Sequence, residues 1–377
     1  MADRERRPVT DAARWTSILS ALTEGQDLAE PDVEWVMNEV MRGAADDARL
    51  AGFLVALRAK GETVAELDAL LRAMLRHAVP VQVDGPVLDI VGTGGDHGGT
   101  VNVSTMSAVV AAAAGARVVK HGNRSSSSRC GSADLLEQLG VAIDLPASAV
   151  PASLDEVGIA FCFAPVFHPA MRHASPVRRA LGLPTAFNLL GPLSNPAAPA
   201  ACAVGVADRR MIPVVAGVLA ERGARALVFR GDDGLDELTV TTTSQVWTVQ
   251  DGTVRAEAFD PRSVGVRRAG PDALRGDDPV HNAAVAREVF AGARGPVRDA
   301  VLLSAAAGLA AAASSAEPVA ARIGAQLARA ERAIDEGHAQ GLLERWAAVS
   351  ARLASTGPAG DVPAASAATA PHPPLAG

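Results

Sequence analysis

From residue 87 onward, short apolar runs alternate with glycine-bearing polar loops and helical stretches, and this alternation restricts the fold more than any other feature of the chain. Residues 87–91 read as a buried strand, 104–114 as a helix and 116–120 as a second strand. A helix over 133–139, a strand over 158–164 and a helix over 169–181 follow, then strand 202–206, helix 211–222 and strand 226–229. Residues 282–353 are mostly helical in pattern. Alternating strand and helix predicts an α/β fold with a mainly parallel sheet flanked by helices.

The first part of the chain has a different period. Val33, Val36, Met37, Val40 and Met41 follow Pro31 at helical spacing, and Leu50, Phe53, Leu54 and Leu57 continue the pattern up to Gly61. Leu67, Leu70, Leu71, Met74 and Leu75 make a further apolar face. Residues 78–86 hold two prolines and a glycine and read as a hinge. The expected division is a flexible start over 1–12, a small all-helical domain over 13–84, a large α/β domain over 85–353 and a disordered Ala/Pro-rich tail over 354–377. A length of 377 residues suits two domains. A net charge of −7 gives no support to a nucleic-acid or anionic-membrane partner. The alanine-rich run 300–313 is too short to span a bilayer. Residues 1–10 are charged and lack an apolar signal segment, and Cys130, Cys162 and Cys202 have neither disulfide density nor metal-ligand spacing. The expected location is the reducing cytoplasm.

Four polar constellations sit where strands are expected to end. Gly92-Thr93-Gly94-Gly95-Asp96, with Thr100, Asn102, Ser104 and Thr105 behind it, can bring backbone N–H groups and a helix N-terminus to an anion. A glycine-rich turn with an ordinary serine cap reads equally well. Lys120-His121-Gly122-Asn123-Arg124, the serines 125–128 and Gly131-Ser132 follow the second strand, and Lys120 is one of only two lysines. Alone this could be a polar loop with a solvated charge. Gly231-Asp232-Asp233-Gly234-Leu235-Asp236-Glu237 offers oxygen ligands suited to Mg²⁺, or is an acidic surface loop. His168-Pro169-Ala170-Met171, Arg178 and 187–193 form the last group, with Arg178 nine residues along the expected helix. An arginine fork binds a planar carboxylate well, although Arg178 and Arg179 also read as solvated charges.

In order and at these spacings, DIVGTGGD, KHGNR with its serines, HPAM, FNLLGPL and DGLDE resemble the anthranilate phosphoribosyltransferase family from about Trp15 to Leu353. ALRAKGET and GPVRDAVLLSAAA are also similar to that family. The resemblance implies a step of tryptophan biosynthesis, with anthranilate and phosphoribosyl pyrophosphate as substrates. It implies two Mg²⁺ ions per subunit, a cleft between the domains, helices near 168–190 returning to the small domain, and a homodimer formed through that domain. By position, Gly92, Gly95, Asp96, Thr100, Asn102, Val103, Ser104, Thr105, Lys120, His121, Gly122, Asn123, Ser128 and Ser132 would hold phosphoribosyl pyrophosphate. Gly92, His121, Asn123, His168, Arg178, Gly191 and Pro192 would form the anthranilate path, and Ser104, Asp236 and Glu237 would bind metal. No residue is assigned as acid or base, because the anthranilate amine is already a neutral nucleophile. Departures from the family pattern are His97-Gly98-Gly99, Arg49, Ser304 and Cys130. The alternatives are a nucleoside phosphorylase of related fold, a nucleic-acid-binding paralogue and an inactive partner subunit.

Overall fold

The structure, a computed structural model, describes residues 10–96, 98–125 and 128–356. His97, Ser126, Ser127 and residues 357–377 of the expected tail lie outside the described residues.

Four helices open the chain: α1 (Asp11–Thr23), α2 (Glu30–Arg42), α3 (Asp47–Lys60) and α4 (Val64–Arg76). Their starts follow from capping chemistry. Thr10 accepts from the Ala13 N–H, so α1 begins at Asp11, inside the stretch expected to be flexible. Asp46 caps α3, and Thr63 with Glu66 makes a reciprocal capping box on α4. Glu66 also accepts from the Leu28 N–H at 2.9 Å and from Lys60 at 2.8 Å, which fastens the helices to one another.

The α/β part runs β1 (Leu88–Gly92), α5 (Val103–Ala113), β2 (Val118–Gly122), α6 (Ser132–Gln138), α7 (Ala149–Val157), β3 (Ile159–Phe163) and α8 (Ala164–Phe167). A 3₁₀ turn over Pro169–His173 leads to α9 (Ser175–Leu181) and α10 (Ala186–Leu193). Then come β4 (Ala201–Gly205), α11 (Ile212–Glu221), β5 (Arg225–Gly231), β6 (Ser244–Gln250) and β7 (Thr253–Phe259). Helices α12 (Pro279–Phe290), α13 (Pro296–Ala312), α14 (Val319–Asp335) and α15 (His338–Thr356) complete it, so residues 354–356 continue a helix rather than opening the tail.

Two expectations change. The single helix over 169–181 is instead a 3₁₀ turn and a short α-helix, broken at Ala174. Pro176 has no N–H to carry a continuous helix through, and it sits where proline is tolerated, in a first turn. Arg178 is therefore in the last turn of a seven-residue helix. The hairpin β6–β7 is an addition to the expected strands. It turns on Asp251-Gly252, both at positive φ (51° and 72°), a pair suited to tight hairpins.

The sheet order is β3-β2-β1-β4-β5-β6-β7, parallel through β5 and antiparallel beyond. The chain builds outward from β1 in one direction, then returns to add β4 on the other side. The point between β1 and β4 is thus a topological switch, where crevices open at strand carboxyl ends. Register places Gly92 beside Gly205 there. One sheet face packs on α5, α6 and α12 to α15. The other face shares a core with the opening helices through α9, α10 and α11, with Val177, Phe187 and Leu190 in one cluster with Val36, Met37 and Phe53. Among the described residues no helix is long and apolar enough to cross a membrane.

Candidate active site

At the switch point the loop after β1 turns through Gly94 and Gly95, both left-handed (φ 64° and 79°). Only glycine adopts this run without strain. Thr93 fixes the loop to the end of β4, donating its N–H to Gly205 O at 3.0 Å while its Oγ1 accepts from the Ala207 N–H at 3.0 Å. The far side of the loop is held by Thr100, which bridges to Arg275.

The loop after β5 delivers Asp236 and Glu237 to the same place, each about 8% exposed. Asp236 Oδ2 accepts the Gly94 N–H at 2.7 Å. A side chain at Gly92 would press on that carboxylate, and one at Gly205 would strike the Asp236 backbone. Asp96 lies close enough for its charge to act on both, and its Oδ2 is buried with no hydrogen-bond partner. Burial, and then the charge of Asp96, pushes Asp236 up to about 7. Glu237 is raised well above the ordinary carboxylate range by burial, then by Asp236 and Asp96, with the Ser104 backbone N–H opposing. Two buried carboxylates side by side, Asp236 and Glu237, cannot both ionise cheaply without a cation. Among the described residues no group of three His, Cys, Asp or Glu side chains is placed to hold a metal. The donor set that is present, the carboxylates of Asp236 and Glu237, is of the oxygen type Mg²⁺ prefers, an ion that takes the rest of its shell from water and phosphate oxygens. Asp232 and Asp233 are not part of this group. They accept from the hydroxyls of Thr243 and of Thr239 and Thr241, respectively.

Lys120 is buried, and its ammonium donates to Ile90 O at 2.7 Å. Burial lowers its pKa, while the charges of Asp89 and Glu237 oppose that. Asp89, which opens the DIVGTGGD motif but has no role assigned from the sequence, is pushed up to about 6 by burial against the pull of Lys120. It accepts from the His121 N–H at 3.3 Å and from Asn195 Nδ2 at 2.8 Å. Asn195, also missed as an individual residue, spends its other amide proton on Val119 O at 2.8 Å.

The second polar loop is packed closely onto α6. A side chain at Gly122 would overlap Ser132 Oγ, which donates to Asn123 O at 3.1 Å. Ser128 Oγ lies 2.6 Å from Ser125 Oγ and also donates to Cys130 O at 3.2 Å. Asn102 Nδ2 reaches across from the first loop to Cys130 O at 3.0 Å. Val103 is core, and Thr105 is buried with its hydroxyl unpartnered.

Segment 191–195 gathers the remaining residues. His121 Nδ1 meets Gly191 O at 3.0 Å, and His168 Nε2 meets Ser194 O at 2.8 Å. A carbonyl only accepts, so these nitrogens carry the protons. His121 Nε2 is then a buried acceptor without a partner. The two rings stand edge to face, 5.3 Å apart. Burial, with His168 adding to it, pushes His121 down to about 3. Burial also lowers His168. Pro192 is buried inside α10. Arg178 lies 5.3 Å over the Phe187 ring, and among the described residues it has no ion-pair partner. Its pKa is lowered by burial, although a guanidinium stays charged.

Residues 16–78 match a family described as the glycosyl transferase family, helical bundle domain, and 84–340 match the glycosyl transferase family, a/b domain. The chain is 59% identical over 333 residues to the anthranilate phosphoribosyltransferase of Thermobifida fusca, covering 88% of this chain and 95% of that one. It is 58% identical over 341 residues to that of Acidothermus cellulolyticus, covering 90% and 96%. Its structure is similar to that of anthranilate phosphoribosyltransferase from Thermus thermophilus, with a TM-score of 0.82, 44% identity and coverage of 89% and 99%. The Saccharomyces cerevisiae enzyme in complex with PRPP and Mg gives a TM-score of 0.81 at 27% identity, covering 92% and 100%.

Proposed function

This chain belongs to the anthranilate phosphoribosyltransferase family, and we infer that it transfers the phosphoribosyl group of 5-phosphoribosyl 1-pyrophosphate to the amine of anthranilate. The products are N-(5-phosphoribosyl)anthranilate and diphosphate, a step of tryptophan biosynthesis. The observation that carries this reading is the buried pair Asp236 and Glu237, with the half-buried Asp96 near them, at the glycine loop of the sheet's switch point.

Asp236 and Glu237, with Ser104 beside them, would hold Mg²⁺, and the carboxylates gain their full charge by doing so. Bound there, Mg²⁺ would neutralise the charge that grows on the departing diphosphate. The loop N–H groups, Thr100, Asn102, Ser128 and Ser132 surround the phosphates, and Lys120 adds positive charge from below. On the other side, Arg178 takes the anthranilate carboxylate. His121 presents the Nε2 acceptor to the same path, with His168, Asn123, Gly191 and Pro192 around it. A ring held near pKa 3 is too weak a base to take a proton early, so His121 orients rather than deprotonates. Two ions per subunit, a homodimer through the opening helices and a cytoplasmic location complete the reading, and their support is the family resemblance. Anthranilate fluorescence tests the reaction: it should disappear only when phosphoribosyl pyrophosphate and Mg²⁺ are both present. Release of free base from a nucleoside and inorganic phosphate, with anthranilate fluorescence unchanged, would assign the site to a phosphorylase instead.

A further inference from the structure

Asn282 sits in the first turn of α12, about 2% exposed, and none of the substrate-side motifs contains it. Its Oδ1 accepts the Asp277 N–H at 2.9 Å, and its Nδ2 donates to Asn102 Oδ1 at 3.0 Å. Asn102 Nδ2 in turn donates to Cys130 O at 3.0 Å. The relay joins three segments far apart in sequence: the start of α12, the start of α5 and the serine loop before α6. Both of its ends are backbone groups. The Asp277 N–H can only donate and the Cys130 carbonyl can only accept, so neither amide can be flipped without setting like against like.

The segment before α12 is fastened to both loops by other contacts as well. Val101 N–H donates to Leu274 O at 2.9 Å, and Gly276 N–H to Gly99 O at 2.8 Å. Arg129, next to Cys130, pairs with Asp277. A side chain at Gly276 would lie 2.7 Å from the Val101 nitrogen, so this strap fits directly against the first loop.

We propose that Asn282 is a positioning residue for phosphoribosyl pyrophosphate: acting through Asn102, it holds the two phosphate-side loops at a fixed spacing. The proposal rests on the reading above that these loops hold that substrate. An asparagine side chain offers two N–H groups and two lone pairs. The relay uses one of each on Asn102, leaving one N–H and one lone pair in directions that Asn282 sets. Without Asn282 the Asn102 amide is free to turn, and the substrate must order it on binding.

Steady-state kinetics of the full chain with Mg²⁺ tests this, using Asn282→Asp, Asn282→Ala, Asn282→Ser, Asn102→Ala and the double variant Asn102→Ala/Asn282→Ala. Asn282→Asp keeps the shape and the Asp277 contact but sets an acceptor against Asn102 Oδ1. It should raise KM for phosphoribosyl pyrophosphate roughly tenfold, the scale of one well-placed hydrogen bond, with KM for anthranilate within about twofold. The double variant should match Asn102→Ala closely, because the proposal routes the effect of Asn282 through Asn102 and not through the Asp277–Arg129 pair. Asn282→Ser and Asn282→Asp carry the test where alanine does not fold. A wild-type KM for phosphoribosyl pyrophosphate in the folded Asn282 variants, or multiplying effects in the double variant, overturns the proposal. Asn102→Ala with a wild-type KM overturns the underlying site reading instead, so the two failures are distinguishable.

Discussion

Asp236 and Gly94 stand 142 positions apart, and the carboxylate of one accepts the backbone N–H of the other at 2.7 Å. That bond sets the acidic loop after β5 against the glycine loop after β1, so the groups expected to meet cation and phosphate share one rigid frame. Gly92 makes the approach possible, since a side chain there would occupy the space of Asp236 Oδ2.

Gly92→Ala should therefore displace Asp236 without unfolding the sheet. A misplacement on the order of 1 Å at a reacting centre costs roughly a hundredfold in rate. The expected outcome is a loss of about that size in kcat/KM, with a thermal melt close to wild type. Wild-type kinetics in Gly92→Ala would show that the position of Asp236 does not matter.

Arg178 lies over Phe187, and among the described residues it has no ion-pair partner, which leaves its guanidinium fork open to a ligand carboxylate in the proposed reading. Arg178→Ala should raise KM for anthranilate roughly ten- to a hundredfold, the scale of a charge-assisted contact of about 1.5–3 kcal/mol. KM for phosphoribosyl pyrophosphate should hardly change. Arg178→Lys should recover only part of the loss, because it lacks the planar fork. Unchanged KM for anthranilate in the alanine variant would place its carboxylate on another cation.

The first five strands are legible in the sequence because each is a short apolar run, and four of them end at a glycine (Gly92, Gly122, Gly205 and Gly231), as at Ile90–Val91 before Gly92. The hairpin β6–β7 is easily passed over because β7 is largely exposed and the apolar side of its alternation is Val254, Ala256 and Ala258, two of them only alanines, although Asp251-Gly252 marks the turn. The break before Arg178 is signalled by Ser175-Pro176, and the apolar spacing around it obscures the signal. Of the site, the residues in contiguous motifs can be read. Asp89, which opens DIVGTGGD, and Asn195 lie in or beside those motifs, yet their role is not legible there, because it arises only when they meet each other, 106 positions apart.

His121 gives a pH signature. Its folded pKa is pushed down to about 3 by burial, against 6.5 for an ordinary imidazole. Below pH 6.5 the unfolded chain takes up a proton that the folded chain refuses, so falling pH favours unfolding. Above pH 6.5 both states are neutral and the penalty vanishes. Urea unfolding of wild type and His121→Asn should thus diverge as pH falls from 6.5 towards 4, with wild type losing about 1.4 kcal/mol per pH unit relative to the variant. A difference that stays flat over that range would mean that His121 titrates freely in the folded state.

The most direct test of the carboxylate pair is a Mg²⁺ titration of anthranilate consumption by wild type and by the double variant Asp236→Asn/Glu237→Gln. Replacing two buried, mutually repelling carboxylates with amides of the same shape removes a charge penalty, so the variant should melt no lower than wild type. Wild type should consume anthranilate only when Mg²⁺ and phosphoribosyl pyrophosphate are both supplied, and the folded variant should not turn over at any Mg²⁺ concentration. Wild-type turnover by the variant at saturating Mg²⁺ would contradict the account.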